Sequence, residues 1–528
     1  MTRLIFSFLL TAGSLFSCPY QTQAQTVMPT KLWDRTFGGS EIEYLTTTLQ
    51  TRDGGYIIGG TSDSDISGDK TQSSQGTRDY WLVKIDANGD KEWDRTFGGS
   101  SFNALESLQQ TSDGGYILGG TSDSGISGDK TQPSRGDKDY WLVKISATGT
   151  KQWDRTFGGS NYDYLGVVQQ TSDGGYLLGG DSTSPLSGEK TQTGRGSFDY
   201  WVVKVDANGA KQWDQCFGGS GADHLYAMHQ TRGGGYILGG YSDSGIGGDK
   251  TQSIKGGNDY WLVKLDANGT KEWDQSYGGS SDDNLKTMQQ TREGGYILGG
   301  YSESGISGEK TQPSQGEGDY WLVKVDANGT KQWDQSYGGS RFDALTKLQQ
   351  TSDGGYIMGG ASASGISGDK TQPSRGDTDF WLVKTDAGGT KLWDQSLGGT
   401  GLDELLSLQQ TSDGGYILAG QSDSGISGDK TQPSQGLYDY WVIKLGAAPL
   451  ASAAAASSSV LSAYPNPTSS QLTLRGPLGT PYQLLNQLGQ VVRTGRVSAQ
   501  ALNVQALPAG LYLLRDTTSG YTTKLVKE

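Results

Sequence analysis

Between residues 79 and 86 the chain alternates. Trp81, Val83 and Ile85 fall on one face and Leu82 and Lys84 on the other, the two-residue period of a pleated strand. The same pattern returns along the chain in step with two tryptophan series. One runs Trp33, Trp93, Trp153, Trp213, Trp273, Trp333 and Trp393; the other runs Trp81, Trp141, Trp201, Trp261, Trp321, Trp381 and Trp441. Within a series each Trp stands 60 residues from the next, as 33 does from 93, and the two series use all 14 Trp. Such self-similarity marks stacked or circular copies of one supersecondary unit. In the first full unit the pattern predicts strands over 44–50, 54–61, 79–86 and 91–98, with Leu45 in the bend that enters the first. Asp53-Gly54 and Asn88-Gly89 supply the hairpin signals between them.

Seven units of four antiparallel strands predict an all-β fold, a seven-bladed β-propeller. The chain begins on a lone fourth strand, 31–38, and the repeat stops on a lone third strand, 439–445. Pairing the two builds a split (velcro) last blade and closes the ring, which removes exposed sheet edges. The cadence W-D-x-x-x-G-G-S … T-x-D-G-G-Y-I-x-G-G … D-Y-W-L-V-K over residues 31–446 resembles the propeller repeats common in secreted bacterial proteins, a resemblance that implies fold and not activity.

The flanks carry different signals. Arg3, the apolar run 4–16 and Thr22-Gln23-Ala24 read as a signal peptide over 1–24; Cys18 after Leu15-Phe16-Ser17 is a weaker lipoprotein pattern. After cleavage Cys216 is the one remaining Cys, so no intrachain disulfide forms. No other segment is apolar enough to span a bilayer, and none is expected in the mature chain. Residues 447–460 are an Ala/Ser linker. Beyond it, 461–528 carry Tyr464-Pro465-Asn466-Pro467, Gly489, Leu507-Pro508-Ala509-Gly510-Leu511-Tyr512, and closing Lys524 and Lys527. These residues resemble the C-terminal sorting domain of the type IX secretion system of Bacteroidetes. The resemblance implies a small immunoglobulin-like β-sandwich, the secretion machinery as a partner, and a secreted or outer-membrane-surface location on a Gram-negative cell.

Chemistry is sparse. The formal net charge is −14 and no Lys/Arg run occurs, which argues against a nucleic acid partner. His224 and His229 are the only histidines. Glu43, Asn103, Asp163, Asp223, Asp283, Asp343 and Asp403 stand just ahead of Leu45 and its equivalents. They read either as a ring of acids at the channel mouth or as seven copies of one hydrogen-bonding turn. The turn Thr51–Tyr56 partly resembles a sialidase Asp-box, with Gly233 replacing the acid in one copy. Asp63-x-Asp65-x-Ser67-Gly68 invites a calcium reading, yet Ser74 stands where a bidentate acid belongs; no cofactor is otherwise expected. Arg135-Gly136-Asp137 and Arg375-Gly376-Asp377 are read as incidental tripeptides, and the Trp series as packing between blades.

In a four-stranded meander the longest connections, 62–78 and 39–44, emerge on one face, where function usually resides. The units differ most there, and Phe102, Tyr162, Tyr164, Phe198, Phe342 and Tyr438 are the candidate ligand-binding residues. The sequence therefore predicts a non-enzymatic propeller that binds a glycan or a protein through its loop-rich face. A glycan hydrolase or lyase using channel-mouth carboxylates, or a structural surface-layer component, are the alternatives.

Overall fold

The computed structural model describes residues 28–447, 462–464, 466–475, 478–487, 489–498, 500–517 and 522–528. The expected signal peptide, most of the linker and Pro465 lie outside these. Two compact units emerge, Met1–Ala448 and Pro449–Glu528.

The first unit is a seven-bladed ring of four-stranded antiparallel sheets. Blade 1 runs Glu43–Gln50, Tyr56–Ser62, Asp79–Ile85 and Lys91–Phe97, and blades 2 to 6 repeat it. Blade 7 takes three strands, Asp403–Gln410, Tyr416–Ser422 and Asp439–Leu445, and receives its fourth, Lys31–Phe37, from the start of the ring. Phe37 pairs with Tyr440, Thr36 with Trp441 and Arg35 with Val442. Closure also recruits side chains: Asp34 accepts from Trp441 Nε1 at 3.1 Å and from the Thr431 amide at 2.9 Å.

Leu45 lies inside the first strand rather than in a preceding bend. Residues 45 and 47 face Gly60 and Gly59, two positions apart against one, so the strand carries a β-bulge. The extra residue brings Leu45 and Thr48, both buried, to the same side, which is why strict alternation fails there. The bulge presses the Tyr44 carbonyl to within 2.1 Å of where a Cβ on Gly60 would be, so that position requires glycine. Both tight turns end on a glycine in the left-handed region, Gly54 (φ 88°) and Gly89 (φ 86°). Thr51 and Gly55 close the first and Asp86 and Asp90 the second.

Apolar packing lies between blades. Ile57, Tyr80 and Leu82 of blade 1 pack with Leu105, Leu118, Trp141 and Val143 of blade 2, and each junction repeats this. The Tyr80 hydroxyl donates across the junction to the Trp141 carbonyl at 3.1 Å. Trp81 and its six equivalents are fully buried. Each is tied at Nε1 to the Asp of the following Trp-Asp pair, as Trp81 is to Asp94 at 3.2 Å. Burial works against the Asp94 carboxylate, but hydrogen bonds from Thr71, Lys91 and Trp81 more than offset it and hold its pKa below the usual range.

The second unit is a two-sheet sandwich. Ser462–Tyr464, Gln471–Arg475 and Leu502–Asn503 form one sheet; Val491–Arg496, Pro481–Leu485, Gly510–Asp516 and Thr522–Lys527 form the other. Leu472, Tyr482, Leu484, Val504, Tyr512, Leu514 and Leu525 fill its core.

Candidate functional site

The first strand of every blade lines the central channel, and its mouth on the loop-rich face is where the blades stop being equivalent. At six of the seven junctions a short parallel bridge joins the loop of one blade to the link entering the next, as between Arg78 and Phe102 or Lys138 and Tyr162. This sets the last loop residue beside the neighbouring link. Residues 44 and 61 of each blade face each other across the first two strands, as Tyr44 faces Thr61 and His224 faces Tyr241. Side chains from these places form a band around the mouth.

In blades 1 to 5 the band is an unbroken run of rings and cations. The Arg78 guanidinium sits 4.3 Å from the Tyr44 ring and 5.3 Å from Phe102, while a bidentate pair with Asp63, at 2.6 and 2.7 Å, fixes it. Lys138 Nζ lies 4.0 Å from Phe102 and 5.6 Å from Tyr164. Tyr162 and Tyr164 stack with centres 5.8 Å apart, and Tyr164 is followed by Phe198 at 6.3 Å and His224 at 5.1 Å further on. His224 meets Tyr241 at 5.1 Å, Tyr241 stacks on Tyr226 at 5.5 Å, and Lys286 Nζ caps Tyr226 at 3.8 Å. Lys138 and Lys286 form no ion pair among the described residues. Confinement lowers the Lys286 ammonium to about 8 despite the Asp181 charge nearby. Blades 6 and 7 carry Ala344, Ala361, Thr346, Glu404 and Gln421 at the corresponding places.

Of the six residues picked from sequence, Phe102, Tyr162, Tyr164 and Phe198 belong to this run. Phe342 stands apart against Tyr301 at 5.1 Å, and Tyr438 lies at the ring closure beside Ile42. Arg78, Lys138, His224, Tyr226, Tyr241 and Lys286 complete the run. The signal for Tyr241 was position 61, which reads Thr61, Thr121, Asp181, Tyr241, Tyr301, Ala361 and Gln421 within an otherwise uniform strand.

One pair is chemically distinct. His224 Nδ1 donates to Asp181 Oδ2 at 2.7 Å, and the Leu225 amide donates to Asp181 Oδ1 at 2.7 Å. Burial raises the Asp181 pKa, and the His224 contact opposes that rise. By contrast the acids named for the enzymatic reading cannot reach a substrate. Asp163, Asp223 and their equivalents are fully buried, and Asp163 takes hydrogen bonds from the Gly159 amide at 2.7 Å and Ser184 at 2.9 Å. They are turn-forming residues inside the blade junctions, not a ring at the mouth.

The remaining motifs are also structural. Asp53 accepts from the Gly55 amide at 3.0 Å and pairs with Lys84 at 3.1 Å, and Lys84 also pairs with Glu92 at 2.9 Å; where Gly233 replaces the acid, Lys264 keeps the equivalent pair with Glu272 at 2.9 Å. Arg135 bonds the Thr156 carbonyl at 3.0 Å and pairs with Glu189 at 2.8 Å, and Arg375 pairs with Asp429, so neither tripeptide offers a free arginine. In the Asp63–Gly68 loop, Asp63 is held by Arg78, and Asp65 accepts from the Ser74 amide at 3.2 Å. No three His, Cys, Asp or Glu side chains gather to hold a metal among the described residues.

In the sandwich, Asn466 pins the last strand, donating to the Lys524 carbonyl at 2.8 Å and accepting from the Val526 amide at 2.8 Å. Pro467 follows it through a cis bond. Gly489 ends a left-handed turn, Gly510 opens the strand that holds Tyr512, and the Tyr512 hydroxyl donates to the Pro508 carbonyl at 2.8 Å. Lys524 is exposed, whereas Lys527 is buried to 8% exposure.

Residues 462–528 match the secretion system C-terminal sorting domain family. In an alignment of 440 positions that covers 74% of this chain and 45% of its partner, the chain is 24% identical to the regulatory protein FlaEY of Caulobacter vibrioides. Solved structures with similar coordinates include the Neurospora crassa Pan2 WD40 domain, at 10% identity and a TM-score of 0.42 over 77% of this chain and 90% of that one. YCF48 bound to D1 peptide gives 8% identity and a TM-score of 0.39 over 78% and 94%.

Proposed function

We propose that this chain, which its type IX sorting domain directs to the medium or the surface of a Bacteroidetes-type Gram-negative cell, binds a glycan at the channel mouth of its propeller. The observation that carries this reading is the run of ring and cation contacts from Tyr44 to Lys286, confined to blades 1 to 5. A fold needs the same packing seven times; a ligand needs it on one side. Flat rings offer apolar faces to the C–H faces of sugars, with polar edges left for hydroxyls. The two ammonium groups without ion-pair partners, Lys138 and Lys286, favour sugars that carry carboxylate or sulfate.

The test is retention of the full mature chain on a panel of neutral and acidic polysaccharides, with released products scored in the same tubes. Acidic polysaccharides should be retained, and Phe198→Ala or Tyr164→Ala should weaken retention roughly tenfold, the equivalent of about 1.4 kcal/mol. Equal retention by wild type and both variants would exclude the mouth as the site.

The Asp181–His224 pair supports a second reading, cleavage of the bound glycan with His224 as proton acceptor. Products that appear with wild type and vanish with His224→Gln, retention being kept, would establish it.

A further inference from the structure

Five of the seven blade junctions carry a pair of buried carboxylate oxygens that no described residue satisfies. At the junction of blades 2 and 3, Asp139 begins the third strand of one blade and Asp163 the first strand of the next, both without solvent exposure. Oδ2 of each is bonded, Asp139 to the Arg135 amide and Asp163 to Gly159 and Ser184. Oδ1 of each has no partner. The same two oxygens are orphaned at Asp199/Asp223, Asp259/Asp283, Asp319/Asp343 and Asp379/Asp403. Leaving such atoms bare costs several kcal/mol apiece, so something must face them. The nearby buried ammonium groups do not: Lys130 bonds Thr156 at 2.9 Å and Lys190 bonds Ser182 at 2.8 Å.

The junction of blades 1 and 2 shows what the gap accepts. There the second acid is replaced by Asn103, whose Oδ1 accepts from Ser122 at 2.7 Å and Ser124 at 3.1 Å, matching the Ser184 contact of Asp163. Its amide nitrogen points into a cage of oxygens: Asp79 Oδ1 at 3.2 Å and the carbonyls of Arg78, Gly99 and Ser101 at 3.2, 3.4 and 3.1 Å. A donor at that point satisfies Asp79, which is missing from the orphaned set. At the closing junction Glu43 reaches Gly39, Ser62 and Ser64 with its longer arm, and Asp439 alone keeps a bare oxygen.

In the five acid junctions the cage persists and the donor is gone. Around blades 2 and 3 the Gly159 and Asn161 carbonyls converge on Gly136, where a Cβ would lie 2.6 and 2.5 Å from them, as Gly99 and Ser101 converge on Gly76. Two carboxylate oxygens with converging carbonyls, and no hydrogen to share, is the donor set of a hard cation. We propose that each of these five junctions binds one oxygen-liganded cation, Ca2+ or Na+, whose charge satisfies there the oxygens that the Asn103 amide satisfies between blades 1 and 2. The cation would staple blade to blade, and extracellular modules commonly rely on weak calcium sites of this kind.

The test uses the full chain, stripped by chelator and dialysed. Bound calcium is counted by mass spectrometry, and the unfolding midpoint is compared in calcium, sodium and choline salts. The expectation is about five calcium ions per chain, or a midpoint that falls when choline replaces sodium if sodium is the occupant. Asp163→Asn should remove one equivalent and Asn103→Asp should add one; in the sodium case they should shrink and enlarge the choline-induced drop. Both variants reproduce arrangements the ring already contains, so both should fold. No bound calcium together with one midpoint in all three salts would overturn the proposal and leave a shared proton to close each pair, as would variants that change neither stoichiometry nor salt dependence.

Discussion

Lys286 holds its ammonium 3.8 Å from the Tyr226 ring and 5.3 Å from Tyr241, with Asp181 the charge that acts on it. Its pKa of about 8 makes it the group in the band that titrates closest to neutrality from above. A lysine lowered by confinement is cationic below that value and neutral above it. Retention of an acidic glycan is therefore expected to be full near pH 7 and to weaken as pH rises through about 8. Lys286→Arg should flatten the profile, because a guanidinium stays charged. Binding isotherms between pH 6 and 9.5 check this, and a pH-independent wild type would remove Lys286 from the site. At the same scale, Phe102, Tyr162 and Phe198 stand out in the sequence because they break the repeat in loops, and Tyr164 because it breaks the repeat at the start of a strand. Tyr226 and Lys286 do not, because they sit at the bulge of a first strand, which decides which side chains reach the channel.

The strand Lys31–Phe37 does more than complete a sheet. It supplies six paired residues to blade 7 and Asp34 as the acceptor for Trp441 and Thr431. Without it the strand Asp439–Leu445 becomes an edge, and the buried Trp441 indole N–H loses its acceptor, at a cost of about 1–3 kcal/mol for that group alone. Deleting 31–40 should therefore lower the unfolding midpoint far more than deleting 464–528, which removes a unit with its own core. Equal midpoints in calorimetry would contradict closure by this strand. The element order was legible from sequence, since half-units at the two ends have complementary partners. The first strand was misjudged at Leu45 because a bulge spends one residue without a partner, and periodicity alone cannot see that.

For the molecule as a whole, the sorting domain and the propeller are separate compact units with separate tasks. Asn466 ties its motif to the final strand through Lys524 and Val526, so removal of 464–528 deletes the motif and its support together. Cells producing that truncation should keep the propeller inside the envelope, whereas the intact chain reaches the surface or the medium. Cell fractionation with intact-cell protease digestion reads the difference, and surface display of the truncated chain would mean that another segment directs export.

What the sequence determined by itself is the architecture: a period of 60, four strands per period and complementary half-units leave a closed seven-bladed ring as the arrangement that pairs every edge. It determined the sorting domain for the same reason, because local motifs encode local structure. Only the tertiary structure decided the chemistry. Most of the contacts that distinguish blades 1 to 5 join residues far apart in the chain, up to 60 positions, such as Asp181 with His224 or Tyr226 with Lys286. The acids that looked like a channel ring proved to be buried junction residues, because the register of the first strand and the curvature of the ring set which oxygen meets solvent and which meets another acid.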